Sequence, residues 1–243
     1  MADVEVAFIN LSTIVNDAEA RRVMAALQRQ VLRDFAPVWG VDARLRFVRR
    51  GQRPPPGAWW LAILDDAKHA TTLGVHDKTD EGLPLGKVFA RTAQQNKVPW
   101  SIPASHELLE MLVDPEINLS VFVQTSGTHG VLYSYEVCDA CQGTRFAYEI
   151  DGVKVSNFVY PTWFQSFRRP GSARFDHRRR LKRPVPHLLS GGYIGAFKVG
   201  GRRAKGGWRM LRAGGGVAEA PRGTRRHRRS LSPTKRRNSD RLG

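Results

Sequence analysis

His106, Glu110 and Asp114 stand at intervals of four in the segment Ser101–Pro115. At the 3.6-residue period of a helix, that spacing sets all three side chains roughly along one face. An imidazole and two carboxylates on one stripe are donors that zinc accepts, because the ion takes nitrogen and carboxylate oxygen with no geometric demand of its own. Glu107 points off that stripe, where a carboxylate can act as general base and take a proton from metal-activated water. Catalytic zinc usually has three protein ligands and a water. The third is sought at Asp114, which ends the helix, or downstream at Glu136 or Asp139, with Asp114 and Glu136 preferred. The competing reading of Glu110 and Asp114 is the solvated face of an amphipathic helix, which needs no metal. Glu136 and Asp139 likewise have a plain reading, as turn caps or partners of Arg145.

The elements that must carry these residues are legible in part. Val4–Ile9 alternates and then runs apolar, as a first strand does. Asn16 followed by Glu19 has the form of a helix start, and Met24, Leu27, Val31 and Phe35 recur at helical spacing, so a helix is predicted over about 17–36, ended by Pro37. Ala43–Val48 and Trp59–Leu64 read as the second and third strands. Leu73–Gly82 is looser. Leu83–Ala90 is strand-like but holds a proline and a glycine, which predicts a sheet edge. Ser101, as cap, then opens a helix that Pro115 ends. The fold class predicted is α+β: a mixed N-terminal sheet with two helices, the second carrying the motif, a β-rich extension and a basic tail.

This order of elements, with His106-Glu107-x-x-Glu110 on a helix after an edge strand, resembles the N-terminal half of the zincin metallopeptidases over roughly residues 1–115. Zincins carry His-Glu-x-x-His, in which the two histidines hold zinc and the glutamate is the base. Here Glu110 replaces the second histidine, and an anionic ligand leaves metal-bound water less acidic. The resemblance implies a zinc-dependent peptidase with Glu107 as general base and with His106, Glu110 and either Asp114 or Glu136 on the metal. It also implies that an extended peptide or protein substrate lies along the edge strand, at Leu83, Leu85 and Lys87. The string Ser105–Pro115, with Tyr135–Asp139 and Gly152–Phe158 downstream, is similar to uncharacterised bacterial and phage proteins.

Cys138 and Cys141 form one Cys-x-x-Cys pair, half of a structural zinc site, and their flanks read as strand and turn rather than a redox helix. They are read as two cysteines with no shared role. His69, His76 and His129 lie in polar, loop-like stretches and are expected to face solvent, with His76-Asp77 noted as lying near the cleft. Neither a Gly-x-Gly-x-x-Gly nor a Gly-x-x-x-x-Gly-Lys-Ser/Thr string occurs, which disfavours nucleotide chemistry, and the Gly-x-Ser-x-Gly of a nucleophile elbow is absent.

The net charge of +17 over 243 residues is divided unevenly. Residues 1–167 hold 16 Lys and Arg against 19 Asp and Glu, and residues 168–243 hold 23 against 3. The expected organisation is a domain over 1–167, a partly ordered basic β extension over 168–211 and a basic disordered tail over 212–243. A strand or hairpin is predicted around Ser190–Val199, with Trp208 and Met210 nearby. Arg178, Arg179 and Arg180, and Arg225, Arg226, Arg228 and Arg229, suit contact with the phosphates of a nucleic acid, which makes a catalytically silent, structural or phage-associated scaffold the alternative function. No apolar run reaches the roughly 18–20 residues of a membrane helix, and the acidic start of the chain is unlike a signal peptide. A cytoplasmic location is expected, or a virion-associated one if phage-encoded.

Overall fold

Alternation and apolar runs in the first ninety residues become β1 (Val4–Asn10), β2 (Ala43–Val48), β3 (Trp59–Leu64), β4 (Gly74–Lys78) and β5 (Pro84–Phe89). In the computed structural model, which describes residues 4–200, 207–215 and 217–219, these strands form one sheet in the order β2-β1-β3-β5-β4. Only β4 runs antiparallel to its neighbour. β4 comes from the stretch read as loose, and it is an edge of the sheet, opposite β2. β5, predicted as the edge, is paired on both sides, with Leu61 opposite Gly86 on one side and His76 opposite it on the other. Its two supposed edge signals have other causes. Pro84 is the first strand residue, where its missing N–H is tolerated. Gly86 marks a close approach, since a Cβ there would lie 2.8 Å from Leu61 Cδ1.

Between β1 and β2 the chain is helical from Asp17 to Trp39, as α1 (Asp17–Arg29), a wider π-helical stretch (Gln30–Phe35) and α2 (Ala36–Trp39). Asn16 caps it by accepting the Glu19 N–H at 2.9 Å. Pro37 does not end the helix. The wider turn, in which the Ala36 N–H reaches back to the Val31 carbonyl, leaves room for the proline ring, and the helix stops at Gly40 with φ of 68°. α3 (Ala90–Gln95) follows β5, and α4 (Ser101–Val113) lies against β5 and β4. Ser101 is not its cap, because the Ser101 hydroxyl donates to the Lys154 carbonyl at 2.6 Å.

A second, wholly antiparallel sheet has the order β12-β11-β10-β7-β6, from β6 (Ser120–Ser126), β7 (His129–Ser134), β10 (Tyr193–Val199), β11 (Arg209–Arg212) and β12 (Val217–Glu219). A small hairpin, β8 (Tyr148–Ile150) and β9 (Val153–Val155), turns at Asp151 and Gly152, both at positive φ. One hydrophobic core joins the helix face of the first sheet to α1, α4, β9 and β10. It is continuous across residues 167 and 168, with Phe164 and Phe175 both inside it, and β11 runs up to residue 212. The strand expected near Ser190–Val199 is therefore part of a sheet begun by β6 and β7.

Candidate metal centre

α4 is apolar on most of its surface, and Leu108, Leu109, Met111 and Leu112 are buried. Two glycines let it sit close to the sheet. A Cβ at Gly86 would come within 3.4 Å of Glu107 Cβ, and one at Gly74 would lie 2.6 Å from Glu107 Oε1. Glu107 thus packs against the strands, buried with 6% exposure. Alternation along β4 turns His76 to the same side as Gly74. The His76 side chain is 9% exposed, so it is not the solvent-facing histidine expected from its sequence, whereas His69 and His129 are exposed. β7 leads into a third segment that brings Glu136, Cys138 and Asp139 to the same place.

These residues form one buried cluster. Glu110 Oε2 lies 3.2 Å from His106 Nε2 and 3.6 Å from His76 Nδ1. His106 Nε2 is also 3.2 Å from Asp139 Oδ1, and His76 Nδ1 is 3.5 Å from Glu107 Oε2. The Cys138 backbone N–H donates to Glu110 Oε1 at 3.1 Å, fixing the orientation of that carboxylate. His76 Nε2 is buried with no hydrogen-bond partner among the described residues, and Glu136 Oε2 is 3.7 Å away.

Negative charge dominates the cluster and sets its protonation. Burial alone would lower the His76 pKa, but Glu136, Glu107 and Glu110 outweigh it and push it up to about 10. His106 is likewise raised well above its ordinary value against the effect of burial, by Glu110 and Asp139. Burial raises Glu110, with the Asp139 charge acting in the same direction. The Cys138 thiol is pushed up by burial and by Glu110. A group of buried carboxylates that drives its imidazoles to hold protons is one that a cation would stabilise.

Donor chemistry and spacing agree with this. His106, Glu110 and Cys138 each present a donor atom within 4.8 Å of the others, and so do His76, Glu110 and Glu136. Nitrogen, carboxylate oxygen and sulfur are all ligands for a transition-metal ion. The residues therefore fit a metal, and the orphaned His76 nitrogen is the kind of buried polar atom that one satisfies.

Of the residues singled out from sequence, His106, Glu107, Glu110 and Glu136 come together. Asp114 does not join them. It is fully buried and accepts the backbone N–H groups of Asn118 and Leu119 at 2.9 and 3.1 Å, shaping the turn after α4. Leu83, Leu85 and Lys87 do not line the cluster. Leu85 and Lys87 flank Gly86 and so face away from α4, and Leu83 precedes the strand. Cys138, read as having no shared role, lies with His106 and Glu110, while Cys141 Sγ is turned to the Cys138 carbonyl. His76 was placed near the cleft but not in the ligand set, because a five-residue strand with one glycine carries little periodic signal. Arg178, Arg179 and Arg180 are exposed on the turn after Asp176, and Arg225, Arg226, Arg228 and Arg229 lie outside the described residues.

Comparison with family models, with curated proteins and with solved structures returns no match. Among the described residues no helix is long and apolar enough to cross a membrane.

Proposed function

We propose that this chain is a zinc-dependent hydrolase of the peptidase type. The observation that carries the reading is the gathering of two imidazoles, a thiol and three further carboxylates around Glu110, from three separate segments, in a buried place. The sheet order and the lone antiparallel edge strand beside α4 support the resemblance to zincins. His76 on β4 brings a second imidazole beside Glu110, next to the motif on α4.

An imidazole nitrogen of His106, a carboxylate oxygen of Glu110 and the Cys138 sulfur would hold the zinc, a mixed set suited to that ion. When bound, the zinc acts as a Lewis acid and acidifies water. Glu107 takes the proton. Its carboxylate is held between α4 and the sheet by the space over Gly74 and by His76 Nδ1, so it meets the reacting groups with little reorganisation. Among the described residues β4 pairs only with β5, and its outer edge suits an extended peptide added as a further strand. That moves the substrate-binding role from Leu83, Leu85 and Lys87 to Gly74–Lys78. The test is elemental mass spectrometry of purified protein with a peptide-library cleavage assay. Zinc retained and cleavage abolished in Glu107→Gln is the expected result, and a metal-free wild type overturns the reading.

The alternative, a non-catalytic scaffold that binds nucleic acid, is favoured by the charge of residues 168–243 and by the exposure of Arg178, Arg179 and Arg180. It requires salt-sensitive binding without any cleavage, lost on deletion of residues 212–243.

A further inference from the structure

The centre holds more acid than one ion balances. Glu107, Glu110 and Asp139 are each at most 6% exposed, and the Glu136 side chain is 12% exposed. Buried charges persist only when they are paired. A single divalent cation with neutral imidazoles leaves two of the four carboxylates uncompensated, and so does protonation of both imidazoles with no cation.

The donors are also arranged as two sets rather than one. His106 and Cys138 belong to the first, His76 and Glu136 to the second, and Glu110 alone belongs to both. Ligand atoms around one ion at about 2.0–2.3 Å cannot be more than about 4.6 Å apart. Among the described residues no set of that size contains both histidines. Glu110 faces each of them through the same oxygen, while its other oxygen is held by the Cys138 N–H. The second set also contains His76, whose buried Nε2 has no hydrogen-bond partner among the described residues.

We propose that the centre is binuclear, with the Glu110 carboxylate bridging one divalent transition-metal ion held by His106 and Cys138 and another held by His76 and Glu136. Two such ions match the four carboxylates, and ionisation of the Cys138 thiol on coordination leaves a single negative charge. The sulfur-containing set selects zinc. The nitrogen and oxygen set is less selective and accepts zinc, cobalt or manganese. This inference rests on the metal-centre reading given above, and it asks more of it.

The full chain is stripped with chelator, dialysed against zinc or against cobalt, and measured by elemental mass spectrometry and by electron paramagnetic resonance of the cobalt form. The expected result is about two ions per chain in the wild type and about one in His76→Ala and in Cys138→Ala. In the wild type the cobalt signal is that of a coupled pair, and in both variants that of an isolated ion. One zinc per wild-type chain, lost in His106→Ala and unaffected by His76→Ala, overturns the binuclear centre and leaves the hydrolase reading standing. No bound metal overturns both. Two ions without magnetic coupling overturns the Glu110 bridge. Circular dichroism checks that each variant folds, and the wild-type stoichiometry and coupling decide the matter without any variant.

Discussion

Gly74 and Glu107 occupy one another's space: the Cβ that any other residue would carry at position 74 would fall 2.6 Å from Glu107 Oε1 and 2.7 Å from Glu107 Cγ. The edge strand therefore admits the carboxylate only because it has glycine there. Gly74→Ala is expected to push Glu107 out of place and to cost about 1–3 kcal/mol, as overpacking does. Gly127→Ala, where nothing lies within 4 Å of the added carbon, is the control and should leave the thermal midpoint unchanged. Equal midpoints for the two variants would show that α4 and β4 are not packed this closely.

Asp114 separates the stripe on α4 into a part that serves the centre and a part that does not. Removing its side chain leaves the Asn118 and Leu119 N–H groups without their acceptor, so Asp114→Ala should lose about 1–3 kcal/mol in urea denaturation. Its metal content should equal that of the wild type. Loss of metal in this variant would return Asp114 to the ligand set.

Ser105 ties α4 to the π-helical stretch. Its hydroxyl donates to Gln30 Oε1 at 2.6 Å and accepts the Ser156 N–H at 2.9 Å, and all three residues are buried. Ser105→Ala leaves one donor and one acceptor unsatisfied and is expected to lower stability by about 1–3 kcal/mol. Faster hydrogen exchange at the Ser156 amide should accompany it. Unchanged exchange at that amide would count against this network.

Asp65 predicts how stability responds to acid. Burial opposes its ionisation, but hydrogen bonds from Ser12 and Thr13 and the Arg91 guanidinium outweigh it and hold the carboxyl below its ordinary range. The stabilisation is therefore complete above the unfolded carboxylate pKa of about 4 and is lost as the pH falls through the lower folded value. Asp65→Asn should cost about 1–2 kcal/mol at pH 7 and progressively less below about pH 4. Denaturation curves at several pH values measure it, and a constant difference between the two proteins down to acid pH would contradict the assignment.

Local pattern was enough for elements whose periodicity is long or whose ends are marked. β1, β2, β3 and α4 run close to where alternation, apolar runs and a terminal proline placed them. The Asn16 cap formed as its residue type implied. Pattern failed where one residue type has two causes. Gly86 in a strand reads equally as an edge or as a close approach, and only the packing of Leu61 beneath it distinguishes them. Pro37 reads as a helix end, and only the π-helical stretch before it lets the helix continue.

The candidate site divides the same way. His106, Glu107 and Glu110 were readable together because they sit within one and a half helical turns, where spacing in sequence is spacing in space. Sequence alone determined that an imidazole and two carboxylates would share a helix, and that a strongly basic segment would follow a nearly neutral one. The tertiary structure decided the rest: which strand is the edge, that His76 and Asp139 join the helix residues, that Cys138 faces Glu110 and that Asp114 faces away. The reason is that contacts between β4, α4 and the segment after β7 join residues up to sixty or so positions apart. No local periodicity encodes such contacts, because they follow from how the sheet is ordered and how closely α4 packs on it.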